Sequence, residues 1–212
     1  MTLRLEMVTP QMQEIARTVS TALDSGYYLA GGTALALRLG HRKSVDLDYF
    51  IAHPIATPSL KTQLVESFGS DVQIAFEEKN TLWSVIRQVK VSFISRFETL
   101  LDEVEPQEGF ALAGIRDITV MKLGAICGRE EYKDYIDLAC LARHTDPRSW
   151  ISWWQEVYPN QDFTSWLVAL SAISTAPLAQ TEVYGEYCDV PIASTLIQTA
   201  KDITAYAEHL FG

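Results

Sequence analysis

The sequence predicts an α+β protein in two parts: a mixed sheet with helices over residues 1–105 and a helical bundle over residues 106–212. Two observations predict it. Through the first half, short apolar runs rich in branched and aromatic residues alternate with stretches of helical spacing. Beyond the acidic, Pro-containing segment around Pro106, each apolar pattern has the helical period alone. The 48% hydrophobic content of the 212 residues is enough for two modest cores or one large one, so burial limits neither half.

Thr9 and Pro10, followed by Ile15, Val19, Ala22 and Leu23, combine an N-cap, a proline at the first helical position and apolar residues at helical spacing. That helix is expected to stop at Gly26. Residues 27–30 read as a short strand, 33–39 as a helix closed by Gly40, and 45–51 as a second strand. Pro54 and Pro58 break the chain before a helix over residues 59–68. Three more strands are expected over 72–76, 83–87 and 89–94, joined by the turn-prone Glu78, Lys79 and Asn80 and by a tight connection near Gln88. In the second half, helices over 118–126, 132–143, 150–157, 163–173 and 192–210 can each be written with one apolar face.

Charged residues at 21% and aromatics at 10% belong to a folded chain rather than a disordered one. The formal charge of −10 excludes a protein that coats nucleic acid with its whole surface, because phosphate contacts need clustered Lys and Arg. A local basic cleft remains open to it, and Arg38, His41, Arg42 and Lys43 form the densest candidate. Cys127, Cys140 and Cys188 are an odd set without C-x-x-C spacing and read as buried thiols of a reducing compartment. The N-terminus lacks the basic flank and apolar core of a signal peptide, and no apolar run approaches the ~20 residues that span a bilayer. A cytoplasmic location without membrane contact is expected.

Chemistry concentrates between Tyr28 and Phe50. In a strand, side chains at i and i+2 point the same way, so Asp46 and Asp48 are expected on one face with Val45, Leu47 and Tyr49 on the other. Two carboxylates so close repel unless a cation lies between them, and Mg²⁺ is held by one or two carboxylates together with substrate phosphates. Nucleotidyl transfer has that requirement. Gly31 and Gly32 stand between a strand and a helix N-terminus, where backbone can approach a ligand and free N–H groups can face an anion. Thr33 could cap the helix or donate to a phosphate oxygen. The competing reading makes the glycines a tight turn and the two acids solvated residues of an edge strand.

Gly31-Gly32-Thr33, followed by His41-Arg42-Lys43-Ser44 and by Asp46 and Asp48, resembles the glycine-pair and Asp-x-Asp motifs of the AbiEii-type abortive-infection nucleotidyltransferases. These are toxins of bacterial toxin–antitoxin pairs in the polymerase-beta-like nucleotidyltransferase superfamily. Lys122, Arg129, and then Lys133-Asp134 with Asp137 are similar to that family's Lys and Lys-Asp-x-x-Asp motifs. The resemblance implies a nucleotidyltransferase-like domain followed by a helical domain, with the nucleotide in the cleft between them. Asp46 and Asp48 would carry Mg²⁺ (or Mn²⁺), and Gly31, Gly32, Thr33 and Ser44 the phosphates of an NTP. Lys122 would meet the triphosphate charge, while Lys133, Asp134 and Asp137 would form the helical wall. It also implies an antitoxin partner and an RNA acceptor, with tRNA the leading substrate class.

The residues alone leave the second block more open. Lys133 and Asp137 at i and i+4 could be a surface ion pair worth about 0.3–0.5 kcal/mol. Lys122, flanked by Val120, Met121 and Leu123, could snorkel from an apolar face. Active members of the superfamily usually take a third carboxylate from a later strand, and Ser92 stands at the natural position here. A hydroxyl lacks the charge to replace it. Two other readings follow: a catalytically weak or inactive nucleotide-binding module, and a small-molecule nucleotidyltransferase. Trp150, Trp153, Trp154 and Trp166 have the helical spacing of a packed core or a partner-facing surface rather than of a base-stacking surface.

Overall fold

Thr9 accepts a hydrogen bond from the Met12 amide at 3.1 Å, and the first helix, α1 (Pro10–Ala22), starts from that cap with Pro10 at its first turn. The computed structural model describes residues 2–23, 26–129, 131–175, 182–187 and 189–211. Cys188 lies outside them. The chain divides into two compact units, residues 1–114 and 115–212.

In the first unit α1 is followed by β1 (Tyr28–Leu29), α2 (Gly31–Leu39), β2 (Asp46–Ile51) and α3 (Thr57–Phe68). Strands β3 (Val72–Glu78), β4 (Thr81–Ile86) and β5 (Val89–Ser95) form a meander, and β6 (Glu105–Gln107) and β7 (Phe110–Leu112) a hairpin. Together they build one mixed sheet in the order β3-β4-β5-β2-β1-β7-β6. The mixed α+β class is as expected from the sequence. Arg87 and Gln88, with φ of 49° and 67°, make the tight β4–β5 turn in the left-handed conformation that matches strand twist. One face of the sheet is core: Leu47, Leu82, Ile86 and Phe93 are fully buried, and α3 covers that face with Leu60, Leu64 and Phe68.

The β6–β7 hairpin departs from the sequence reading, which ended the first domain at residue 105. Its charge and Pro106 look like a linker, yet Pro106 sits on the edge strand, where a missing N–H costs no ladder bond. Leu112 pairs with Leu29, so residues 105–114 complete the sheet instead of opening the helical part.

The second unit contains α4 (Ile115–Gly128), α5 (Tyr132–His144), α6 (Ser149–Val157), α7 (Thr164–Ser171) and α8 (Ile192–Phe211). Tryptophans are set into its largely aliphatic core. Trp150 and Trp166 are fully buried, and Trp154 meets both Tyr158 and Trp166. The Trp150 indole donates to Thr145 at 2.9 Å and that of Trp154 to the Gln161 carbonyl at 3.3 Å, which satisfies the polar end of each ring. Cys140 is buried as expected, but Cys127 is exposed on the last turn of α4.

Candidate functional site

Strand β2 alternates strictly: Leu47, Tyr49 and Ile51 are buried, while Asp46, Asp48 and Phe50 are half-buried on the opposite face. The Asp-x-Asp acids therefore share one face. Val45, expected with the buried set, lies just before the strand and is 70% exposed. Beneath the acids, Tyr49 stacks on Phe93 with ring centroids 5.5 Å apart, and burial pushes its phenol well above the usual range.

The glycine corner lies against the same face. Ala30 donates its amide to the Asp48 carbonyl at 3.1 Å, and α2 begins at the next residue. Gly31 has φ of +64°, a conformation that disfavours side chains, and a Cβ built there would stand 3.6 Å from Oδ2 of Asp48. The first turn of α2 thus opens beside a carboxylate. An anion there needs a cation between it and Asp48.

Thr33 and Ser44, expected at phosphates, are buried and face inward. The Thr33 hydroxyl donates to the Asp46 carbonyl, so in its 2.6 Å contact with Ser44 the Ser44 hydroxyl must be the donor. This chain of Ser44 to Thr33 to Asp46 ties the helix to the start of β2. Both hydroxyls therefore act on the protein, fixing the strand that carries the acids. The basic cluster is also largely internal: Arg38, His41 and Arg42 are buried, and only Lys43 of the four is exposed. Arg38 donates to the Ala113 carbonyl at 3.0 Å and pairs with Glu105 at 3.2 Å. A basic cleft built from all four does not survive.

Ser92 on β5 is the direct register partner of Asp48 on β2, and Lys90 that of Asp46. A carboxylate at position 92 would stand beside Asp48, and a hydroxyl stands there instead. Asp46 and Asp48 fit Mg²⁺ only as a site completed by substrate phosphates, since no cluster of three or more metal-ligating side chains exists among the described residues.

In the second unit the Lys-Asp-x-x-Asp block forms a buried network between α4 and α5. Lys122 Nζ lies 2.6 Å from Asp134 Oδ1 and 2.5 Å from Asp137 Oδ2, with both carboxylates fully buried. Arg129 Nε adds a bond to Asp134 at 2.9 Å, so two cations face two anions. Lys122 does not snorkel. Nor do Lys133 and Asp137 form a surface pair: Lys133 reaches Glu131 at 2.8 Å, and that hydrogen bond holds the Glu131 carboxyl below its usual range.

The sequence reading missed Trp83 and Phe76. Trp83 is 47% exposed and Phe76 39%, and their rings lie 4.7 Å apart on the face that carries the acids. An outward Trp in a strand shows only as alternation with Leu82 and Ser84, and register alone reveals that it neighbours Ser92.

A mixed sheet whose inner strand presents two acids beside a glycine corner opening a helix defines a protein of the nucleotidyltransferase fold. A solved structure from H. pylori, described as a candidate nucleotidyltransferase, covers 95% of this chain and 96% of its own at 21% identity with a TM-score of 0.54, and that likeness shows the fold. The family profile "Nucleotidyl transferase AbiEii toxin, Type IV TA system" matches residues 15–152, and the chain belongs to that family. Uncharacterized protein aq_aa25 of Aquifex aeolicus (strain VF5) is 36% identical over 137 residues, 63% of this chain. The match covers 66% of that relative, just under two thirds of its length.

Proposed function

We propose that this protein is a Mg²⁺-dependent nucleotidyltransferase that moves a nucleotidyl group from an NTP to RNA, with tRNA the leading acceptor. In the cell it acts in the cytoplasm as a toxin held in check by an antitoxin partner. One observation carries the reading: Asp46 and Asp48 share a sheet face, and the Gly31 corner lies so close to it that a Cβ built there would stand 3.6 Å from the Asp48 carboxylate. Family membership supports it. No helix among the described residues is long and apolar enough to cross a membrane.

Bound at Asp46 and Asp48, Mg²⁺ would neutralise triphosphate charge and orient the α-phosphate. The backbone N–H groups at Gly31 and Gly32 face the β- and γ-phosphates at the positive end of α2. The acceptor hydroxyl oxygen attacks the α-phosphorus as its proton passes to Asp48. A new P–O bond forms while the bond from the α-phosphorus to the α–β bridging oxygen breaks, and pyrophosphate leaves with the electron pair. Thr33 and Ser44 hold β2 in register behind the acids. Lys122, Asp134 and Asp137 hold α4 to α5, and half-exposed Lys133 is the lysine of that block more open to a phosphate.

Incubating the purified chain with labelled NTPs, Mg²⁺ and total tRNA is expected to label the RNA, and Asp46→Ala with Asp48→Ala to abolish labelling. No label from any of the four NTPs, in folded protein, counts against transfer. Ser92 beside Asp48 favours one second reading, a nucleotide-binding module without turnover. Calorimetry with an NTP that shows binding while the labelling stays negative selects it.

A further inference from the structure

Phe76, Trp83, Ser92 and Asp48 occupy one transverse row across β3, β4, β5 and β2. Phe76 registers with Trp83, Trp83 with Ser92, and Ser92 with Asp48. Register partners point to the same face, so the exposed aromatic pair lies on the face of the acids. Two strand spacings put the Trp83 backbone about 10 Å from that of Asp48. The row continues past Asp48 in the other direction to Ala30 and the glycine corner. Ser92 and the aromatics are therefore on one side of Asp48, and the N-terminus of α2 on the other.

In-line displacement gives these two sides different occupants. The attacking oxygen and the departing pyrophosphate must stand on opposite sides of the phosphorus. With the leaving phosphates at Gly31 and Gly32, the acceptor has to approach over β5 and β4. What it meets there is Ser92, the exposed Lys90 and the indole of Trp83. An indole half open to solvent, braced from one side by Phe76, suits a flat π-system, and a lysine on the same face suits a phosphodiester.

From this we infer that Trp83, supported by Phe76, is a stacking platform for the terminal base of a single-stranded nucleic-acid acceptor, with Lys90 beside its backbone. The inference rests on the transfer reading above, because that reading puts the phosphates at the glycine corner. Its test is a binding experiment and needs no turnover.

The probe is a short fluorescein-labelled single-stranded oligoadenylate, titrated by anisotropy into the full-length chain at fixed salt, with ATP and Mg²⁺ affinity measured separately by calorimetry. Trp83→Ala is expected to weaken oligonucleotide binding about 5- to 150-fold, the equivalent of about 1–3 kcal/mol, and to leave ATP affinity unchanged. Trp83→Phe keeps a π-face and is expected to retain most of the affinity, which also controls for folding. Lys90→Ala is expected to reduce the salt dependence of oligonucleotide binding by about one counterion. Oligonucleotide affinity unchanged in Trp83→Ala overturns the platform and leaves the transfer reading intact. Loss of ATP affinity instead overturns it by putting the incoming base on Trp83. Failure of the wild-type protein to label RNA while Trp83→Ala still loses the oligonucleotide removes the transfer reading and keeps the platform.

Discussion

Replacing Lys122 with methionine is expected to destabilise the second unit by about 3–5 kcal/mol, because it leaves two buried carboxylates facing each other without the ammonium between them. Both Asp134 and Asp137 are fully buried, and Nζ lies within 2.6 Å of each. Arg129 remains on Asp134, but its side chain is 51% exposed, so water screens it more than it screens Lys122. Tryptophan fluorescence during urea unfolding reports this directly, since Trp150, Trp153, Trp154 and Trp166 all belong to the second unit and only Trp83 to the first. With a slope of about 2 kcal/mol/M, the midpoint of that transition should fall by about 1.5–2.5 M. Adding Asp134→Leu and Asp137→Leu to Lys122→Met removes the stranded charges and is expected to recover most of the loss, as hydrophobic replacements of buried ionic groups often do. A Lys122→Met midpoint within about 0.5 M of wild type would refute the argument that this lysine is the buried counter-charge.

Thr33→Val breaks the chain from Ser44 to the Asp46 carbonyl in a buried setting and should cost about 1–3 kcal/mol in first-unit stability, while Thr33→Ser stays near wild type, as far-UV circular dichroism through urea unfolding would show. Ser92→Asp places a third carboxylate against Asp48, so the metal-free protein should melt lower than wild type and gain more melting temperature on adding Mn²⁺. Cys127 is exposed as a residue, but partial desolvation of its sulfur still raises the thiol above its ordinary value. Less thiolate is then present at pH 8, and peptide-resolved alkylation by iodoacetamide should be slower at Cys127 than for free cysteine, with its rate midpoint shifted to higher pH. Hydrogen bonds from the Thr164 backbone and then its side chain hold Asp162 below the usual carboxylate range. Its folded-state value is depressed, so its stabilisation is present above the unfolded value of about 3.9 and is lost as pH falls through the folded one. The midpoint advantage of wild type over Asp162→Ala should accordingly shrink as pH falls below about 4, as urea titrations at each pH would show.

Strand alternation makes the shared face of Asp46 and Asp48 legible in the sequence alone, because side-chain direction in a strand has a period of two and needs no tertiary information. Helical period and the Thr9-Pro10 cap located the helices for the same reason: local spacing and local hydrogen bonds decide them. The Lys and Lys-Asp-x-x-Asp block was recognisable as a motif, but its partners were not. An i to i+4 spacing joins Lys133 to Asp137 along one helix, whereas the packing of α4 against α5 delivers Lys122 to both acids and leaves Lys133 with Glu131.

The chain by itself determined the class of fold, the acids on one strand face and the family whose motifs it carries. Only the tertiary structure decided what each of those residues touches. Register set Ser92 beside Asp48 and Trp83 beside Ser92, and no local pattern encodes which strand lies next to which. Burial turned Thr33, Ser44 and most of the basic cluster inward, because desolvation depends on everything packed around a side chain and not on its neighbours in sequence. The hairpin of residues 105–112 shows the same division: its composition reads as a linker, and pairing with β1 makes it sheet.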